Sequence, residues 1–128
     1  MQISIDPSEV KGPIRAPSSK SMTQRAIATA LLAEGESIIY NPSYCNDSLA
    51  SIGIAGSLGA QIRPEPGKIK ISGTKGVIKD NVLDCGESGL AIRMFSPVAA
   101  LFSGEIIMDG KGTLKSRPMK MIEDTLNQ

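Results

Sequence analysis

The sequence predicts an α/β (α+β) protein in which one order of helices and strands is repeated along the chain. Apolar segments with helical spacing alternate with short apolar segments that end at glycine, proline or asparagine, which predicts helices alternating with strands. Residues 35–39, Gly-Glu-Ser-Ile-Ile, recur as Gly-Glu-Ile-Ile at residues 104–107, an offset of about 69 positions. Such a recurrence indicates a repeated unit. We therefore expect a unit of helix, strand, helix, strand and strand.

The N-terminal region, residues 1–16, is predicted to be extended. Ile3 and Ile5 alternate with polar neighbours, as in a strand. Prolines exclude a helix from this part of the chain, and they stand at positions Pro7, Pro13 and Pro17.

The first helix is predicted to begin near Ser21, and its residues 25–34 are rich in alanine, isoleucine and leucine. Ser21, with Gln24 three positions later, fits a capping box at its start. Gly35 is expected to end the helix.

The rest of the first unit contains a strand, a second helix and a hairpin. The predicted ranges are a buried strand at residues 37–40, a helix at residues 49–58 and hairpin strands at residues 61–63 and 68–72. The N-cap candidates for the second helix are Asn46, Asp47 and Ser48. Gly59 is expected to end that helix.

The second unit begins with a strand at residues 82–83 and a glycine-rich turn at residues 85–89. A helix at residues 90–101, kinked or ended early by Pro97, a strand at residues 105–108 and a turn at residues 109–112 follow. A final helix is predicted to start near Arg117 and to be still running at Gln128. The closing strands are missing, so we expect one whole unit and part of a second, an incomplete domain.

The composition excludes several classes of function. The 128 residues include no histidine, which excludes histidine triads, histidine metal ligands and histidine proton shuttles. A net charge of +1, with two tyrosines, two phenylalanines and no tryptophan, argues against a nucleic-acid surface.

The sequence also predicts no export signal, membrane span, metal or cofactor. The N-terminus has no basic region followed by an apolar run, and the longest apolar stretch, near residues 26–33, is too short to cross a membrane. Cys45 and Cys85 are too few for a structural zinc site and are expected to be reduced thiols. We expect a cytoplasmic protein.

Residues 19–25 are the first candidate binding segment. Lys20 and Ser21 stand at a predicted helix start, where free N–H groups and the helix dipole favour anions. Arg25 lies one turn later on the same face and can offer a forked donor to a carboxylate or phosphate. The alternative is that Ser21 is only a cap and that both cations are solvated.

Two further segments have the same character. Glycines at residues 85–89 enter a helix, and Arg93 follows Gly89 by four positions, as Arg25 follows Ser21. The alternative is a tight strand-to-helix turn, because the segment lacks a full phosphate-loop motif. Residues 111–118 carry three cations, which a solvated basic face would also explain. Three helix entrances that each carry arginine favour a small substrate with more than one anionic group.

These motifs together resemble one enzyme family. In order and spacing they resemble the motifs of the 5-enolpyruvylshikimate-3-phosphate (EPSP) synthases. The motifs are Ser-Lys-Ser-x-Thr-Gln-Arg-Ala, then Cys-Gly-x-Ser-Gly-x-Ala-x-Arg, then Arg-Pro before a helix. That family transfers the enolpyruvyl group of phosphoenolpyruvate to shikimate 3-phosphate in aromatic amino acid biosynthesis. The resemblance therefore implies these two substrates, no nucleic-acid or membrane partner, and a full enzyme that is a monomer.

The resemblance also implies an enolpyruvyl transferase-like fold of two domains, each with three repeats whose helices lie beneath sheets. Residues 1–16 would then pair with the other domain of the full enzyme. Residues 17–128 would form the first two repeats of the substrate-binding domain, the second one truncated.

The resemblance gives five residues a role in substrate binding. Lys20 would contact both substrates. Ser21 and Arg25 would hold shikimate 3-phosphate, with Arg25 on its carboxylate. Gly89 would line the phosphoenolpyruvate pocket, where a side chain would intrude, and Arg117 would bind the phosphate or carboxylate of phosphoenolpyruvate.

Four other positions surround this implied site. Asp47 and Arg93 match charged positions of the family and are secondary candidates. Glu87 stands where the family often has asparagine, and Leu90 where it often has threonine, so the resemblance does not imply a typical affinity for phosphoenolpyruvate or for the inhibitor glyphosate. The acid and base residues of the family lie in the opposite domain, so we expect this chain alone to be inactive.

Two other functions stay open at this point. One is a stand-alone module that binds small anions. The other is a related enolpyruvyl transferase acting on a UDP-sugar, although the Ser-Gly-Ala-Lys-Asn-Ala motif and the later catalytic cysteine of those enzymes are not evident here.

Overall fold

Helices and two small sheets alternate along the computed structural model of the chain, which describes residues 2–127. The helices are α1 (Lys20–Leu32), α2 (Asn46–Ser57), α3 (Gly89–Ala99) and α4 (Lys120–Leu126), with a 3-10 helix at Gly112–Ser116. The strands are β1 (Glu36–Tyr40), β2 (Gln61–Glu65), β3 (Lys68–Ser72), β4 (Val82–Asp84) and β5 (Ile107–Asp109). The α/β class is confirmed, and the first unit has the predicted order.

The first sheet is antiparallel, in the order β1-β3-β2. The predicted hairpin is confirmed: Glu65 pairs with Lys68 across a two-residue turn, where Gly67 takes a positive φ of 70°. Pro64 lies in β2, an edge strand, where a missing N–H donor is tolerated.

The second sheet pairs β4 with β5 in parallel, with Val82 opposite Ile107. A parallel pair needs a long crossover, and α3 lies between the two strands in the chain. The carboxyl ends of both strands therefore point toward the start of α3.

The core lies where α1 and α2 pack together against β3, β4 and α3. Each element buries apolar side chains there. The largest fully buried ones are Ile27, Leu31, Ile54, Leu58, Ile69, Ile71, Leu83 and Phe95.

The prediction of a buried strand at residues 37–40 is wrong. Alternate residues of β1 face solvent, and Ile38 is 43% exposed and Tyr40 71% exposed. β1 is an edge strand of a sheet whose other face is not covered, so only one side of the strand packs on the core.

Gly73 allows the end of β3 to pass against the end of α1. A Cβ atom at Gly73 would overlap the carbonyl oxygen of Ala33. The N–H of the next residue, Thr74, donates to the carbonyl of Leu31 at 2.8 Å. This glycine is required for space, since the obstacle is backbone that cannot move aside.

The capping box predicted at Ser21 and Gln24 is wrong. Helix α1 begins at Lys20, and its N-cap is Ser19, whose Oγ accepts from the N–H of Met22 at 3.3 Å. Gln24 is fully buried, and its amide contacts two other helices. The Gln24 side chain, which the local pattern assigned to the helix cap, makes tertiary hydrogen bonds instead.

The N-cap candidates of the second helix are also wrong. Cys45 is the N-cap of α2, and the predicted residues Asn46, Asp47 and Ser48 form its first turn. An acidic residue in a first turn is favoured by the helix dipole, and Asp47 also pairs with Lys20.

Near its C-terminus the chain differs from the predicted turn and helix. The 3-10 helix occupies Gly112–Ser116, and Arg117 follows it in an extended conformation, as expected before a proline. The predicted final helix, α4, begins at Lys120 and ends at Leu126. Gln128, through which it was predicted to run, lies outside the described residues.

Residues 2–17 are exposed, and residues 2–19 contain neither helix nor strand. The absence of a helix agrees with the prolines in this region. None of the helices described within residues 2–127 is long and apolar enough to cross a membrane.

Candidate functional site

The starts of helices α1, α2 and α3 meet at the side chain of Gln24. Its Nε2 lies 3.0 Å from the carbonyl oxygen of Asp47 and 3.0 Å from Oγ of Ser51, both in α2. The same nitrogen lies 2.9 Å from Oγ of Ser88, the N-cap of α3. One buried amide therefore joins the three helix starts that surround the candidate residues.

Lys20 and Asp47 form an ion pair at this junction. Nζ of Lys20 lies 2.8 Å from Oδ2 of Asp47, and the Lys20 side chain is 53% exposed. The hydrogen bond to Asp47, together with its negative charge, raises the pKa of Lys20. The ammonium group is therefore held protonated at the surface, where it can meet an anion.

Gly89 opens a space at the start of α3 that two arginines occupy. A Cβ atom at Gly89 would overlap Nη1 of Arg117 and would lie 3.1 Å from Nη1 of Arg93. Arg93 also donates to the carbonyl oxygen of Gly89 at 3.3 Å. The structure thus brings Arg117 to Gly89 and Arg93 of α3, although Arg117 comes from a later part of the chain.

The two lysines and the arginine of residues 111–117 have different partners. Lys111 lies 2.6 Å from Asp84, and Lys115 lies 3.7 Å from Asp109, so both lysines pair with carboxylates at the ends of β4 and β5. Arg117 was expected at a helix start, but it is the C-cap of the 3-10 helix, three residues before α4. The third helix start at the site is instead that of α2.

The three arginines of the candidate site differ from Lys20, Lys111 and Lys115, which all pair with carboxylates. In the part of the chain that the structure describes, no ion pair involves Arg25, Arg93 or Arg117. An unpaired guanidinium group offers a planar fork of donors that matches carboxylate and phosphate. The site is therefore suited to a ligand, or a pair of ligands, with several anionic groups.

Ser21 and Arg25 lie together on α1, as their spacing predicted. Nη1 of Arg25 donates to the carbonyl oxygen of Ser21 at 3.3 Å. Arg25 also lines a groove of about 550 Å³ between α1 and α3, with Ala28 and Met94 on its walls. No hydrogen bond described within residues 2–127 links this pair to Gly89, Arg93 or Arg117.

Glu87 lies beside the segment that carries Arg117. A Cβ atom at Gly112 would overlap the Glu87 carboxylate, so the glycine at the start of the 3-10 helix makes room for it. Gly112 has a positive φ of 52°, which also favours glycine. The Glu87 side chain therefore spans from the loop before Gly89 to the start of the 3-10 helix.

The two cysteines differ in reactivity. Burial opposes ionisation of the exposed Cys45, but hydrogen bonds from Ser43 and Ser48 outweigh it and lower the pKa of this thiol. Cys85 is buried, and the loss of solvent raises its pKa to about 12. Both are free thiols, and no cluster of three or more potential metal-ligating side chains occurs within residues 2–127.

The roles of Gln24, Ser51 and Ser88 at the site were not predicted from the sequence. Gln24 was assigned to a helix cap, and no local pattern distinguishes a buried glutamine from an exposed one. One signal was present: Gln24 follows Lys20 by four positions and so lies on the same helix face.

Comparisons with known proteins identify relatives of this chain. Residues 5–128 match the family described as EPSP synthase (3-phosphoshikimate 1-carboxyvinyltransferase). A curated 3-phosphoshikimate 1-carboxyvinyltransferase from Korarchaeum cryptofilum is 40% identical over 98% of this chain and 30% of its own length. A protein of the same name from Methanosarcina acetivorans is 38% identical over 100% of this chain and 30% of its own.

A solved structure shows the same fold. The EPSP synthase from Acinetobacter baumannii superposes with a TM-score of 0.80 and 28% sequence identity, covering 91% of this chain and 27% of that one. This chain therefore spans less than a third of the length of the relatives that it matches.

Proposed function

The chain belongs to the EPSP synthase family, and from this premise we propose that it forms a substrate-binding part of a 3-phosphoshikimate 1-carboxyvinyltransferase. The proposed enzyme transfers the enolpyruvyl group of phosphoenolpyruvate to shikimate 3-phosphate. The observation that carries the proposal is the grouping of unpaired arginines and Lys20 around three joined helix starts. Each of the two substrates bears a carboxylate and a phosphate, and several cationic side chains are needed to bind these groups.

Different arginines are assigned to the two substrates. Arg117 and Arg93 stand over Gly89, where glycine leaves room for a compact anion, so we assign phosphoenolpyruvate to this place. Ser21 and Arg25 lie together on α1, so we assign shikimate 3-phosphate to them, with its carboxylate on Arg25. Lys20 stands at the junction and is assigned to both substrates.

The secondary candidates support these contacts. Asp47 holds the Lys20 ammonium in place through their 2.8 Å ion pair. Arg93 bonds to the carbonyl of Gly89 and adds positive charge beside Arg117. Glu87 adds negative charge on the same loop, so we expect weaker binding of phosphoenolpyruvate than asparagine at that position would give.

The proton transfers of the reaction are assigned to residues outside this chain. General acids and bases must face the substrates across a cleft that closes. In the proposed enzyme, residues 1–16 pair with the other domain, and residues 17–128 form the first two repeats of the domain that binds the substrates. We propose that the enzyme is cytoplasmic and monomeric, and that the chain of 128 residues is inactive alone.

Substitution of the two α1 cations in the natural gene product tests the function. Lys20→Met and Arg25→Ala should each lower turnover of phosphoenolpyruvate with shikimate 3-phosphate by about ten- to a hundredfold, since each charged hydrogen bond contributes about 1.5–3 kcal/mol. Melting temperatures should stay close to the wild type, because both side chains are exposed. Steady-state kinetics and thermal melts measure both effects.

Lys75→Met serves as the matched control, because Lys75 is exposed and lies outside the site. It should leave turnover unchanged. Wild-type kinetics in both site variants would contradict the assignment. Turnover with a UDP-sugar in place of shikimate 3-phosphate would identify the related transferase instead. Turnover by the chain of 128 residues alone would disprove its inactivity.

A further inference from the structure

Gln24 and Lys20 bind different atoms of Asp47. Lys20 and Gln24 are four residues apart on α1 and so lie on the same face of that helix. Lys20 binds the carboxylate of Asp47 at 2.8 Å, and Nε2 of Gln24 donates to its main-chain oxygen at 3.0 Å. Both ends of Asp47 are therefore fixed to α1.

The same amide also fixes the start of α3. Nε2 of Gln24 lies 2.9 Å from Oγ of Ser88, which in turn accepts from the N–H of Ala91 at 3.1 Å and so caps the helix. Ser88 directly precedes Gly89, over which Arg117 lies. A shift of Ser88 would therefore move the proposed phosphoenolpyruvate pocket relative to Lys20.

The orientation of the amide shows that its donor function decides its placement. Nε2 faces three oxygens, whereas Oε1 is buried with no hydrogen-bond partner in the described part of the chain. Turning the amide over would set its oxygen against the carbonyl oxygen of Asp47, and two acceptors would then face each other. Because Gln24 is 0% exposed, it acts through its neighbours and not by touching a ligand.

We propose that Gln24 is a positioning residue, whose amide holds the Lys20–Asp47 pair and the start of α3 at the separation that binds both substrates together. This inference rests on the proposed function. It assigns to Gln24 an effect on KM for both substrates, although neither substrate would contact it.

Two variants of the natural gene product separate donation from packing. Gln24→Met keeps a side chain of similar length but has no donor. It should raise KM for phosphoenolpyruvate and for shikimate 3-phosphate by about tenfold at every pH, with kcat changed less. Gln24→Glu should be equally impaired near pH 8, because an ionised carboxylate cannot donate to the carbonyl oxygen of Asp47.

The pH dependence of Gln24→Glu is the decisive readout. Burial raises the pKa of a carboxyl group, so the substituted acid should gain a proton as the pH falls from about 8 to about 6. The protonated acid again supplies a donor. The ratio of kcat/KM between this variant and the wild type should therefore rise several-fold over that range, whereas the ratio for Gln24→Met should stay flat.

Leu31→Val is the matched control. Leu31 is fully buried in the same helix, about two turns beyond Gln24, so its substitution should lower the melting temperature without changing either KM. Wild-type KM values in Gln24→Met, or no recovery of Gln24→Glu at lower pH, would overturn the inference while leaving the proposed function intact. An inactive wild-type protein would instead reject the proposed function, and the inference with it.

Discussion

Gly89 matters for the space that its missing side chain leaves. Its backbone is helical and has no positive φ, so another residue could adopt the same conformation. The guanidinium group of Arg117 occupies the position that a Cβ atom would take, and Arg93 lies close beside it. The requirement for glycine is therefore one of contact with the arginines and not one of backbone strain.

The substitution Gly89→Ala tests this requirement in the natural gene product. The obstructing atoms are the ends of flexible side chains, so the helix should keep its place while Arg117 is displaced. We expect an unchanged or slightly higher melting temperature, because alanine favours helix by about 0.5–1 kcal/mol over glycine. KM for phosphoenolpyruvate should rise about tenfold, as for the loss of one charged hydrogen bond.

Gly53→Ala provides the comparison for that experiment. Gly53 also lies in a helix, α2, but a Cβ atom there would meet nothing within 4 Å. This variant should keep the wild-type KM. Equal KM values in the two alanine variants would show that Gly89 and Arg117 do not shape the pocket.

At the scale of elements, the start of α1 separates two serines with different functions. Ser19 is the N-cap, because its Oγ accepts from the N–H of Met22. Ser21 lies inside the first turn, and its carbonyl oxygen accepts from Arg25. One serine therefore stabilises the helix, while the hydroxyl of the other remains available to a ligand.

Alanine substitutions of these serines should have opposite consequences. Ser19→Ala should lower the free energy of unfolding by about 1 kcal/mol through loss of the cap. Ser21→Ala should change it by less than about 0.5 kcal/mol, yet weaken binding of shikimate 3-phosphate several-fold. Chemical denaturation and calorimetric titration measure the two effects. A loss of stability in Ser21→Ala as large as that in Ser19→Ala would show that Ser21 also caps the helix.

Elements whose pairing is local in the chain could be predicted, and those that depend on distant residues could not. The hairpin of β2 and β3 followed from two short segments of alternating polar and apolar residues on either side of a Pro-Gly turn. The parallel pairing of β4 with β5 did not, because its partners are about 25 residues apart. The exposure of β1 was also missed, since it depends on which sheet face the helices cover.

At the scale of the whole molecule, the N-terminal segment stands apart from the core. Residues 2–17 are exposed, including four large apolar side chains: Ile3, Ile5, Val10 and Ile14. Exposed apolar side chains in such number favour a binding partner. This agrees with our proposal that residues 1–16 pair with another domain of the enzyme.

Hydrogen exchange tests that pairing. Backbone amides of residues 2–16 should exchange rapidly in the isolated chain of 128 residues, where the structure gives them no strand partner. In the natural gene product, strand pairing should slow their exchange by orders of magnitude. Rapid exchange in both samples would contradict the proposed pairing.

By itself, the sequence determined the order of the elements, the three basic segments and the likeness to the EPSP synthase family. These depend on hydrophobic periodicity and on motifs of a few neighbouring residues. Only the tertiary structure decided which cations remain unpaired. Lys111 pairs with Asp84, a residue 27 positions away, whereas the guanidinium group of Arg117 lies over Gly89 without a carboxylate partner among the described residues.

The tertiary structure likewise decided that Gln24 joins three helix starts. Its partner Ser88 is 64 residues away. Such contacts form only when packed helices and sheets bring distant segments within hydrogen-bond distance. A pattern of neighbouring residues cannot specify these distant partners, because burial of the whole core brings them together.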